Sequence, residues 1–87
     1  MPVVFIPTPM RDLTGGEPRV TVEGEFVRDV IDALDRQYPG IKDRLCHGDA
    51  LAPGLTVCID DTVSRRGLNA RVTVQSEVHF LPPIGGG

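Results

Sequence analysis

Between residues 19 and 38 the apolar side chains change their spacing, and that change limits the chain to few folds. Residues 19–23, RVTVE, alternate polar and apolar, so Val20 and Val22 share one face of an extended strand. From Val27 the apolar residues recur three and four apart, at Val27, Val30, Ile31, Leu34 and Tyr38. That spacing predicts one buried stripe of an α-helix. Arg28, Asp29, Asp32, Asp35 and Arg36 fall on its other face. Glu25 is a mediocre start residue, because Ser, Thr, Asp or Asn better satisfies the free N–H groups of a first turn. Pro39-Gly40 ends the helix: proline disfavours the α conformation of the residue before it, and glycine turns the chain.

A helix with one apolar stripe needs a sheet to cover it, and the flanks supply strands. Residues 3–6, VVFI, are β-branched and aromatic and read as a first strand. The Gly15-Gly16 pair that follows predicts a hairpin turn and an antiparallel second strand at 19–23. After the helix, residues 41–46, IKDRLC, read as one extra helical turn, and HGDALAPG as a loop. A third strand falls at 55–60, LTVCID, with Leu55, Val57 and Ile59 on one face, and Asp60-Asp61 begins a turn. Residues 62–76 are weakly patterned; Leu68, Val72 and Val74 are expected to supply one or two short strands and core contacts. EVHFL, residues 77–81, is the last strand, with Val78 and Phe80 on the core face and His79 and Leu81 facing out. The order β-β-α-β-(β)-β predicts an α+β fold of the β-grasp type: a mixed sheet of four to five strands with one main helix packed across it. Residues 1–81 form that domain, and residues 82–87 are expected to be a flexible tail.

Size and charge exclude several classes of function. A chain of 87 residues makes one domain with one modest core, and a deep enzyme cleft is not expected. The net charge is −3 with both signs interspersed, which argues against nucleic acid, because phosphate binding needs a basic face. No segment approaches the roughly 18 apolar residues of a membrane span. The start, MPVVFIPTPM, lacks the basic and long apolar regions of a secretory signal, so the expected address is cytoplasmic. Two cysteines, Cys46 and Cys58, are too few for a disulfide framework; reduced thiols are expected, and a bridge between them stays open. Cys46, His47 and Asp49 invite a nucleophile or metal reading, but chain neighbours such as Cys46 and His47 seldom converge on one ion and no second pair such as CxxC exists, so no metal site is expected. Gly15-Gly16 is no phosphate loop, since no GxGxxG, lysine or following helix accompanies it. Arg65-Arg66 reads first as a solvated pair that could also meet an acidic partner.

The chemistry concentrates at the other end. The segment FLPPIGGG, residues 80–87, resembles the C-terminus of the ThiS/MoaD family, the ubiquitin-like sulfur carrier proteins, which finish on a strand, a Pro-rich step and Gly-Gly. IPTPMRDLTGG (6–16) and VRDVIDALDRQYPGIKDRL (27–45) are similar to the branch that supplies sulfur for cysteine synthesis. Gly85 stands where many relatives have Ala, Ser or Thr, and Gln75-Ser76 where many have Gly-Asp.

The resemblance implies a carrier cycle and no catalytic group on the carrier itself. An E1-like adenylyltransferase/sulfurtransferase uses ATP to adenylate the carboxylate of Gly87. A sulfur donor then displaces AMP and leaves a thiocarboxylate. The acceptor in the cysteine branch is an aminoacrylate on a pyridoxal-phosphate-dependent cysteine synthase, and a zinc peptidase of the JAMM type releases the product. The carrier binds no cofactor of its own; ATP belongs to the activating partner. Gly86 and Gly87 are the reactive end, and His79, Leu81, Pro82, Pro83, Ile84 and Gly85 the expected partner contacts. Alternatives within the class are the small subunit of molybdopterin synthase and a carrier for thiamin or another thio-metabolite. Outside it stand a β-grasp binding module without tail chemistry and a ubiquitin-like modifier.

Overall fold

The computed structural model describes residues 1–82. Seven strands and two α-helices follow in the order β1 (Val3–Phe5), β2 (Arg19–Thr21), α1 (Val27–Gln37), α2 (Ile41–Leu45), β3 (Cys46–His47), β4 (Ala50–Leu51), β5 (Thr56–Ile59), β6 (Thr62–Ser64) and β7 (Glu77–Leu81). Five of the strands form one mixed sheet, ordered β2-β1-β7-β5-β6. β1 and β7 are parallel at its centre, while β2, β5 and β6 run antiparallel to their neighbours. This is the ubiquitin-like β-grasp arrangement expected from the element order.

The helix stripe is buried as the spacing requires: Val27, Val30, Ile31 and Leu34 are all at 1% exposure or less. Their burial contributes about 6–12 kcal/mol, an upper figure because an unfolded chain already hides some surface. They pack against Val4, Val20, Val57, Val78 and Phe80 from the sheet. Tyr38 lies at the margin of this core and is only half-buried. The N-cap is Phe26, which offers no capping oxygen. Asp29 does that work from inside the first turn: its Oδ2 accepts the N–H of Phe26 at 3.1 Å. Past the helix end, Gly40 takes φ +104°, and Asp35 Oδ1 accepts the N–H groups of Gly40 and Lys42.

Gly24 has a different role, which no spacing in the sequence signals. A β-carbon there would lie 2.9 Å from the backbone nitrogen of Val30 and 2.9 Å from Val30 Cγ2. Its missing side chain lets the segment before α1 run against the first turn of the helix.

Three local expectations need correction. Gly15-Gly16 does not close a tight hairpin. The link from β1 to β2 is a 3-10 helix over Thr8–Thr14, buried through Met10 and Thr14 and ended by Gly15 at φ +64°. Residues 47–54 are more than a loop, because β3 and β4 pair as a small separate hairpin. The weakly patterned region supplies one short strand, β6, and core contacts through Leu68 and Val72 as expected, with Leu68 in a 3-10 turn, Gly67–Asn69. Val74 is 72% exposed rather than in the core. It occupies a turn closed by Thr73 and Ser76, where the Thr73 N–H donates to Ser76 Oγ at 2.8 Å.

Candidate functional site: the outer sheet face and the end of β7

β7 is held on both sides and underneath. It pairs with β1 on one edge and β5 on the other, and Val78 and Phe80 reach into the core at 0% and 3% exposure. Alternation then places Glu77, His79 and Leu81 on the opposite face, away from the core. Leu81, opposite Thr56 on β5, is 46% exposed. Pro82 follows, also exposed, and has no N–H to continue the ladder. The chain therefore leaves the centre of a firmly fixed sheet. Pro83, Ile84, Gly85, Gly86 and Gly87 lie outside the described residues.

The strand registers align Arg19, Phe5, His79, Cys58 and Val63 in one row across the outer face. The His79 ring stacks on Phe5 with centroids 4.0 Å apart and planes 9° from parallel. Its Nε2 lies 3.6 Å from Glu77 Oε1, a contact that becomes an ion pair when the imidazole is protonated. At the row's far end Val63 is 59% exposed. The result is a mostly apolar strip one step behind Leu81, with a histidine at its centre. His79 and Leu81 face outward as expected from the sequence. Phe5 and Val63 extend the same surface and were missed, although alternation within VVFI already separates Val4 and Ile6 from Phe5.

Cys46, His47 and Asp49 lie on and beside the small hairpin of β3 and β4. Cys46 lines a small cavity beside Lys42 and Leu68, and its thiol is pushed above its ordinary value chiefly by burial, with Lys42 opposing. His47 and Asp49 are exposed on the small hairpin. Among the described residues no three His, Cys, Asp or Glu side chains are grouped to hold a metal ion. Cys46 and Cys58 are both free thiols. No helix among the described residues is long and apolar enough to cross a membrane.

The ThiS family profile matches residues 4–87, from the middle of β1 through the last glycine. The chain belongs to the ThiS family. This ThiS-family chain is 33% identical over 91 aligned positions to the sulfur carrier protein CysO of Mycobacterium tuberculosis, covering 97% of this chain and 96% of that one. Its fold superimposes with a TM-score of 0.93, at 35% identity and full coverage of both chains, on a crystal structure of the BexX/CysO complex of Amycolatopsis orientalis. The solution structure of small archaeal modifier protein 1 from Methanosarcina acetivorans is similar at a TM-score of 0.80 and 27% identity, covering 99% of this chain and 95% of that one.

Proposed function

We propose that this chain is a sulfur carrier for cysteine biosynthesis that works through the carboxylate of Gly87. One observation carries the reading: similarity to a sulfur carrier protein extends at 33% identity along 97% of the chain. The build of β7 supports it. A carrier needs a fixed base and a slim arm, and a strand paired on both edges and plugged into the core by Val78 and Phe80 is such a base.

In the proposed cycle an E1-like adenylating enzyme docks on the outer face through Phe5, His79, Leu81 and Val63, and on the arm through Pro82, Pro83, Ile84 and Gly85. Apolar anchors of this kind commonly dominate interface energetics. The Gly87 carboxylate oxygen attacks the α-phosphorus of ATP, the bond to pyrophosphate breaks, and an acyl-adenylate forms. That attack needs the reacting atoms about 3–3.5 Å apart in a narrow site, where side chains at Gly86 and Gly87 would obstruct entry. Hydrosulfide-level sulfur then attacks the acyl carbon and expels AMP, leaving a thiocarboxylate. The thiocarboxylate sulfur bonds to a three-carbon acceptor supplied by a pyridoxal-phosphate-dependent cysteine synthase. An S-to-N acyl shift leaves cysteine amide-linked to Gly87, and a JAMM-type zinc peptidase hydrolyses that amide, releasing cysteine and regenerating the carboxylate. The carrier contributes position and a nucleophile; nucleotide and acid-base groups come from its partners.

A second reading, attachment to lysines as a modifier, rests on the 27% identity to small archaeal modifier protein 1. ATP–pyrophosphate exchange by the cognate activating enzyme tests the primary one. Exchange that depends on the intact chain and disappears when Gly86 and Gly87 are removed is the expected result. Exchange that continues without them contradicts it. Conjugates of higher mass in cells, with no sulfur transfer, select the modifier reading.

A further inference from the structure

β6 is an open edge of the main sheet. It turns back from β5 through Asp60-Asp61, whose φ values are +50° and +70°. A two-residue turn of this kind closes on a hydrogen-bonded pair, here Ile59 and Thr62. Pairs alternate along an antiparallel ladder, so Val63 directs its own N–H and C=O away from β5, to the open side. Beside that edge runs a shallow groove of about 360 Å³, walled by β6 and by Ala70-Arg71. Ile59 and Ala70 give it an apolar lining, and Arg65, Arg66 and Arg71 line it as well.

These arginines are three of the chain's nine cationic side chains, in a molecule of net charge −3. All three are exposed, and among the described residues no carboxylate lies within ion-pairing distance of them. Arg71 lies over the Phe26 ring at 5.1 Å, which fixes its place on the far wall. An extended segment laid in the groove meets main-chain groups on one side and guanidinium groups along its length. The main-chain groups give affinity to any strand, and the charges select an acidic one. A second copy of β6 does not fit, because its own arginines would face these. Ser64 and Phe80 both pair with Val57, so the arginine end of the groove lies at the end of the sheet from which the chain leaves.

We propose that the β6 edge takes an extended, acidic segment of a protein partner as an added strand, with Val63 bonding its main chain and Arg65, Arg66 and Arg71 holding its carboxylates. Val63 is shared with the outer face, but the main-chain and guanidinium groups of this edge take no part in the chemistry proposed for Gly87.

Titration of the full-length isotope-labelled chain with a short synthetic peptide of alternating valine and glutamate tests the proposal. Amide shifts should centre on Val63, and the Val63 N–H should exchange more slowly in the complex. Joint Arg65→Glu, Arg66→Glu and Arg71→Glu substitution should weaken binding about tenfold or more. Val63→Pro removes only an outward-facing donor, so it should abolish binding while the core resonances stay in place. Removing Gly86-Gly87 should leave the titration unchanged, which separates this surface from the carrier chemistry. The proposal is overturned if a valine–lysine peptide binds equally well, or if the variants bind the acidic peptide as the parent does. It is also overturned if an oligonucleotide of equal charge displaces the peptide at equal concentration, or if charge reversal causes only self-association.

Discussion

The two faces of β7 are built from neighbouring residues and do opposite work. Val78 and Phe80 are at 0% and 3% exposure and belong to the core cluster, while His79 and Leu81, one step along, face solvent. The inner pair fixes the strand, and the outer pair lies on the opposite face, where we propose that a partner reads it. Recognition chemistry can thus be carried by a small domain with little stability to spare, since the alternation of a strand separates the two duties.

The largest effect should come from the inner face. Phe80→Ala removes a buried ring and should cost about 3–5 kcal/mol, measured by denaturant unfolding. A loss near 1 kcal/mol would mean that the fixed base is not where we place it. Next in size is Gly24→Ala. Its new β-carbon meets backbone at 2.9 Å, which cannot swing aside, so a destabilisation of about 1–3 kcal/mol is expected in the same assay. Smaller again on stability, Leu81→Asp should stay within about 0.5 kcal/mol of the parent. Its affinity for the activating enzyme should nevertheless fall about tenfold by calorimetry. If it unfolds the protein and spares binding, the division between the faces is wrong.

The smallest expected effect concerns Cys46. Burial raises its pKa above the ordinary 9.0, so the folded chain keeps this proton to higher pH than the unfolded chain. Its contribution is fully present below the ordinary value and falls as pH rises through the raised one. Between about pH 8 and 10, the parent should lose slightly more melting temperature than Cys46→Ala does. Equal slopes would show that the thiol is not buried as described.

Where burial on one face imposed a period, the sequence could be read. The α1 stripe, the inward pair of β7 and the outward placement of His79 and Leu81 all follow from residues three and four apart, or two apart. The link over Thr8–Thr14 has no such period, and its buried Met10 and Thr14 gave no sign of a 3-10 helix. β3 and β4 are two residues each, too short for any repeat to register. Val74 was misplaced because an apolar residue near others resembles core, while the Thr73–Ser76 turn that exposes it is closed by side-chain hydroxyls. For the same reason the arginine groove was legible only in part. Arg65 and Arg66 are neighbours in sequence, but Arg71 joins them only through the fold.

The central claim is that sulfur is carried on the carboxylate of Gly87. Intact-mass measurement of the chain after incubation with its activating enzyme, ATP and a sulfide source tests it most directly. The account predicts a mass gain equal to one oxygen replaced by one sulfur, placed by fragmentation at the last glycine and reversed by hydrolysis. An unchanged mass, with an activating enzyme shown to be competent on another carrier, would contradict it.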